Sequence, residues 1–251
     1  MTPFYEACIL ACEELYALFH YTELKSLFHK TGHIGAGGDE SSGLDLAAEK
    51  ILVRHLSPFG QIISEESGVI GEEEGRKIVI DPLDGSSNAL SRFPYYGVSI
   101  AHTDADGILH DALICNLANG DIFFTNSKAQ VRQTKIGAEE IFDPYTAPEP
   151  EVGIFEKAYA NPSVVVALSK KGYKFRSPGA VALSLIYSRN TKFFLFVGRY
   201  REYDFLAGLA ICKDLNMTII KDEGFVVVSK DENIAKEIAI LTKETLKNSP
   251  N

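Results

Sequence analysis

The sequence predicts a layered α/β (α+β) fold, because short apolar runs of strand length alternate with helical periodicities and Gly, Asp or Asn closes most of them. Of 251 residues, 45% are hydrophobic and 24% charged, the balance of a globular chain that buries a sizeable core. One large unit or two fused halves are both open at this length, since cores stop growing near roughly 250–300 residues. We expect residues 1–251 to form one unit. The loop-rich stretch 143–163, with Pro144, Pro148, Pro150 and Pro162, is expected to divide a 1–142 half from a 143–251 half.

From Phe4 to about Lys30, apolar residues including Phe4, Cys8, Ala11, Leu15 and Leu18 recur at three- and four-residue steps and predict an amphipathic helix or a broken pair. A Gly-rich stretch, TGHIGAGGDESSG, follows and is expected to be mobile, and residues 44–56 predict a second helix. Strands are predicted at Gln61–Ser64, Lys77–Ile80, Tyr96–His102, Ile108–Cys115 and Asp121–Thr125. Beyond the crossover come a strand at Val164–Leu168, a helix at Ala180–Ser188, a strand at Phe193–Val197 and a helix at Tyr203–Asp214. The β-branched runs Met217–Ile220 and Phe225–Val228 predict strands, and Asn233–Leu246 a last helix.

Twenty-five basic against 34 acidic residues give a net charge of −9, the wrong sign for holding nucleic acid or an anionic membrane. No apolar run reaches about 18 residues, so no membrane span is predicted. The start of the chain carries Glu6, Glu13 and Glu14 and lacks the pattern of a signal peptide. Cys8, Cys12, Cys115 and Cys212 form no CxxC pair and read as reduced, buried thiols. A cytoplasmic protein is expected. The six histidines form no HxH or HExxH spacing, which argues against zinc, and GHIGAGG lacks the ending of a phosphate-cradling Walker loop.

The acidic residues are clustered. In IVIDPLDGSSN an apolar strand runs into Asp81 and Asp84, two carboxylates that a turn can aim at one point, and hard oxygen ligands of this kind suit Mg²⁺. Gly85 allows close approach of backbone to a phosphate, the N–H groups of Gly85 and Ser86 can donate to its oxygens, and the Ser86 hydroxyl then stands near an attacking water. An isolated Asp-Gly turn would explain the same residues without chemistry. Glu65 and Glu66 again follow an apolar strand, where solvated surface charge is the plain alternative. If the two strand ends adjoin, Glu65 lies near Asp81 and Asp84, and several close carboxylates demand a cation. Asp39 and Glu40 sit in the Gly-rich stretch, and Asp45 and Asp204 each open a helix, where capping or the helix dipole accounts for them equally well.

Together, GDExxxLD (38–45), the Glu pair after a strand, DPLDGSSN, RFPYYGVSIA (92–101), RSPGAVALS (176–184) and Asp204 before an Ala-Gly helix resemble the lithium-sensitive superfamily of inositol monophosphatases and fructose-1,6-bisphosphatases, in that superfamily's order and over nearly the whole chain. The mixture of motifs is similar to the archaeal-type dual enzymes. The resemblance implies a layered αβαβα sandwich, a catalytic half before a substrate half, a homodimer and a small phosphate ester as substrate. It implies that Glu65, Asp81 and the Leu83 carbonyl hold a first Mg²⁺, and Asp81, Asp84 and Asp204 a second. Asp45 and Ser86, with Glu65, would orient and deprotonate the attacking water, and a third, weakly held Mg²⁺ would lie near Glu65 and the Asp39–Glu40 loop. Mn²⁺ would substitute, and Li⁺ or Ca²⁺ would inhibit. Gly85, Ser86, Ser87 and Gly179 would contact the ester.

Three departures matter. Ser86 stands where the family usually has Thr, which keeps the hydroxyl. Val197 stands where many inositol monophosphatases carry an acid, which argues against strict inositol specificity. Arg176, Arg199 and Arg201 instead offer guanidinium groups for a second phosphate or sugar hydroxyls, with surface solubility as the plain alternative. The 3'-phosphoadenosine 5'-phosphate nucleotidase branch has Lys and Glu where this chain has Ser87 and Asn88, so it is the weaker alternative. A non-catalytic regulatory relative is the other, and acids at all five matching positions argue against it.

Overall fold

In chain order the computed structural model runs α1 (Pro3–Tyr21), β1 (Lys30–Ile34), β2 (Glu40–Ser42), α2 (Gly43–Leu56), β3 (Gln61–Ser64), β4 (Gly68–Ile70), β5 (Arg76–Asp84), α3 (Ser86–Leu90), β6 (Gly97–Asp104), β7 (Leu109–Asn116), β8 (Asp121–Asn126) and β9 (Val131–Lys135). It continues through β10 (Val152–Glu156), α4 (Pro162–Lys170), β11 (Lys174–Arg176), α5 (Val181–Ile186), β12 (Phe194–Val197), α6 (Glu202–Ile211), β13 (Asn216–Ile220), β14 (Phe225–Ser229) and α7 (Glu232–Lys247). The structure describes residues 2–21, 23, 25–72, 75–126, 130–222 and 224–248.

The strands build two main sheets. The first has the order β4-β3-β5-β6-β7-β8-β9 and is antiparallel except where β3 runs parallel to β5. The second has the order β11-β10-β12-β14-β13, with β10 parallel to both of its neighbours. Four apolar clusters then fix the layers. Helices α1 and α2 bury Leu15, Leu44 and Leu52 against Ile78, Ile80, Val98 and Ile100 on the outer face of the first sheet. Its other face, through Val79, Ala101 and Ile114, meets Leu183, Ile186 and Ile211 of α5 and α6. The opposite sides of those helices, Leu185 and Phe205, meet Phe194, Phe196 and Val226 of the second sheet. Leu195 and Val227 face outward onto Val164 and Leu168 of α4 and Ile238 of α7. Apolar faces thus join each layer to the next, and the sandwich αβαβα results.

Most elements fall where the sequence places them, and the exceptions have physical reasons. Helix α1 ends at Tyr21 instead of near Lys30, and residues 22 and 24 of the expected helix lie outside the described residues. The Gly-rich stretch forms the hairpin β1–β2, and its backbone is docked: Ala36 N–H donates to Glu66 O at 3.1 Å and Gly37 N–H to Glu65 O at 2.8 Å. Val164–Leu168 is helical, not a strand. Pro162 occupies the first turn of α4, and the buried residues of the run, Val164 and Leu168, are four apart, so the helical period overrides the β-branched composition. The crossover also conceals β10. All four cysteines are buried free thiols.

Candidate metal centre

Strand pairing brings the first acids together. In the parallel pair β3–β5, Ser64 lies opposite Ile80, and Glu65 N–H donates to Ile80 O at 3.1 Å, so Glu65 leaves β3 beside the point where Asp81 sits in β5. The β5–β6 register slips between Asp81 and Asp84, which bends the strand end into a turn. Asp204 arrives from the first turn of α6, which packs across β5, β6 and β7. Glu65, Asp81 and Asp204 each present a carboxylate oxygen, and these oxygens lie within 4.8 Å of one another. All three residues are at least nine-tenths buried. Three buried carboxylates with an all-oxygen donor set fit a hard divalent cation.

Burial is also the chief reason Asp81 and Glu65 resist ionisation. It pushes Asp81 well above the ordinary carboxylate range, with the charges of Glu65, Asp84 and Asp204 acting in the same direction. It lifts Glu65 to about 7 despite the pull of Arg201. Such groups hold charge cheaply only when a cation shares their site.

The acids line a cleft of about 390 Å³, together with Lys30, Asp39, Glu40, Asp45, Leu83, Asp84, Gly85, Ser86, Ser87, Glu156, Lys157, Tyr159, Gly179, Arg201 and others. Gly85 adopts φ +85°, and a Cβ there would meet Tyr95 O at 2.9 Å, so both conformation and space require glycine before the first turn of α3. Asp45 is not the cap of α2. Ser42 is, and Asp45 sits three residues on with Oδ2 accepting the Ser42 N–H at 2.6 Å in a reciprocal capping box. It is nevertheless buried and on the cleft wall, and burial raises its carboxyl.

Asp84, Arg176 and Arg201 make further contacts. Asp84, expected beside Asp204 on a second cation, accepts one N–H on each oxygen from the start of α5: Oδ1 from Val181 at 2.8 Å and Oδ2 from Leu183 at 2.9 Å. Burial drives its carboxyl up to about 8 against the pull of the Leu183 N–H. It lines the cleft without joining the group of three. Arg176 and Arg199 do not line the cleft. Arg176 is exposed and folds back on the carbonyl of Phe175, and Arg199 is exposed. Only Arg201 of the three arginines reaches it. There it contacts carboxylates, donating to both oxygens of Asp204 and lying 2.8 Å from Glu65 Oε1 and from Asp39 Oδ2.

Glu156 was not singled out by the sequence. It ends β10 much as Glu65 directly follows β3, it is 1% exposed, and its carboxylate accepts from Gly179 N–H, Ala180 N–H and the Ser184 hydroxyl. The same strand-end rule that found Glu65 would have found it, had β10 been recognised within the proline-rich crossover.

Known proteins are similar to this chain in sequence and fold. A stretch of 107 residues is 40% identical to the fructose-1,6-bisphosphatase/inositol-1-monophosphatase of Methanothermobacter thermautotrophicus and covers 36% of this chain and 38% of that protein, so the chain matches under two fifths of that relative's length. The fructose-1,6-bisphosphatase of Pyrococcus furiosus is 26% identical over 229 residues, 85% of this chain and 84% of its own. The extragenic suppressor protein suhB of Bartonella henselae superposes with a TM-score of 0.76 over 99% of this chain and 100% of its own at 20% identity, a likeness of fold. Residues 7–248 match the model of the inositol monophosphatase family, and the chain belongs to that family.

Proposed function

We propose that the protein is a Mg²⁺-dependent phosphomonoester hydrolase acting on a small sugar or cyclitol phosphate, inositol 1-phosphate or fructose 1,6-bisphosphate being the substrates its relatives' names suggest. The observation that carries the reading is the convergence of Glu65, Asp81 and Asp204 in a cleft whose wall continues into Gly85, Ser86 and Ser87. Glu65, Asp81 and Asp204 would hold the metal, with the Leu83 carbonyl beside them and one lone pair left on each Asp84 oxygen for a further ion. Bound there, Mg²⁺ supplies neutralisation of phosphate charge and a more acidic water.

The chain's own residues supply position and proton transfer. The N–H groups at the first turn of α3 and the small side chains of Ser86 and Ser87 receive the phosphate oxygens. Asp45, anchored through Ser42 on the cleft wall, would accept a proton from water oriented by the Ser86 hydroxyl. Lys30 and Lys157 line the same cleft and suit a further anionic group on the substrate. By the family resemblance the protein would work as a homodimer in the cytoplasm, and no helix among the described residues is long and apolar enough to cross a membrane.

Phosphate release from inositol 1-phosphate, fructose 1,6-bisphosphate and 3'-phosphoadenosine 5'-phosphate, each with Mg²⁺ and with a chelator, tests the reading. Release from one of the first two that the chelator abolishes is expected. Release from the third alone would favour the nucleotidase alternative, and release from none would contradict a phosphatase.

A further inference from the structure

Arg201 is the N-cap residue of α6, and its side chain turns back into the acid group instead of toward solvent. Nε and Nη2 take Asp204 Oδ2 and Oδ1 at 2.8 and 3.0 Å, a two-pronged grip on one carboxylate, while Nη1 reaches Glu65 Oε1 and Asp39 Oδ2, both at 2.8 Å. The side chain is only 18% exposed. Glu65 and Asp204 are also two of the three acids whose oxygens converge for a cation. A carboxylate held bidentately by a guanidinium has few lone pairs left, and a divalent ion a few ångströms from a fixed positive charge is repelled. Guanidinium and metal therefore compete for the same oxygens.

Resting on the metal-dependent reading above, we propose that Arg201 is an exchangeable internal cation: it neutralises Glu65 and Asp204 itself, and a divalent metal binds by displacing it. The arginine then sets the metal affinity of the centre, holding it lower than the acids alone would give. The loop that contributes Asp39 gives the guanidinium a foothold outside the metal group, since Asp39 is 83% exposed on a stretch anchored to Glu65 only through backbone. Gly37 leaves room for this, because a Cβ there would lie 2.5 Å from the Glu65 side chain. The weak hydration of a guanidinium lets it occupy a buried acid pair that a bare lysine would solvate poorly.

Calorimetric titration of Mg²⁺ into the wild type and Arg201→Gln, paired with melting curves in chelator and in saturating Mg²⁺, tests this. The variant is expected to bind Mg²⁺ about tenfold more tightly, to melt lower than wild type in chelator, and to recover in Mg²⁺. Arg201→Lys should fall between the two. A variant that folds only with Mg²⁺ present carries the same meaning. Equal or weaker Mg²⁺ binding by Arg201→Gln, or loss of folding by both variants whatever the Mg²⁺ concentration, would overturn the proposal and make Arg201 a structural tether. Absence of Mg²⁺ binding in the wild type would instead remove the metal-dependent reading on which it rests.

Discussion

Replacing Asp81 by Asn is expected to lower the rate of phosphate release about 1,000-fold or more, equivalent to about 4 kcal/mol of barrier, while raising the melting temperature in chelator. The two effects have one cause. Asp81 is central to the acid group and nearly inaccessible, so its negative charge is costly without a cation and indispensable with one. The amide is close in shape, and its oxygen can still accept the Leu83 N–H that Asp81 Oδ1 accepts at 3.0 Å. The sign of the pH dependence follows. The folded-state value of Asp81 is raised, so the stability linked to its proton is present at low pH and is lost as pH rises through that value. Asn carries no such loss, so the stabilisation of Asp81→Asn in chelator should widen as pH rises above the ordinary carboxylate range. A melting temperature in chelator that falls at every pH would show Asp81 to be held by something other than a metal requirement.

Glu156→Ala is expected to destabilise the fold by about 3 kcal/mol in urea denaturation, one of the larger effects available to a single polar residue. Its carboxylate accepts from Gly179 N–H, Ala180 N–H and Ser184 Oγ, all partly or fully buried, and truncation leaves these donors without the acceptor they have here. The damage extends to the cleft, because the 179–181 turn delivers the Val181 and Leu183 N–H groups to Asp84. Glu156→Gln keeps an acceptor oxygen and should cost about 1 kcal/mol. Equal losses in the two variants would mean that the charge, and not the acceptor, holds the turn.

How far the sequence led can be judged residue by residue. The acids at strand ends were legible because two apolar runs terminating in Glu65 and Asp81 need only pair in parallel to meet. Asp204 was legible as an acid opening an amphipathic helix, though nothing local required α6 to cross β5. The contacts of Asp84 with Val181 and Leu183 N–H were hidden, since these partners lie about a hundred residues away in the chain. Arg176, Arg199 and Arg201 looked alike as charges near an active region, and only the direction of each side chain separates one that reaches the cleft from two that do not. Composition misled at Val164–Leu168, where three consecutive valines suggested a strand and burial follows a helix.

The central claim is that Glu65, Asp81 and Asp204 form a divalent metal centre. The most direct measurement is anomalous diffraction from crystals of the wild-type protein grown with Mn²⁺. A Mn²⁺ peak within ligand distance of carboxylate oxygens from all three residues is the predicted result, with Arg201 moved off Glu65 and Asp204. Mn²⁺ found only at other acids, with the Arg201 contacts intact, would contradict the account.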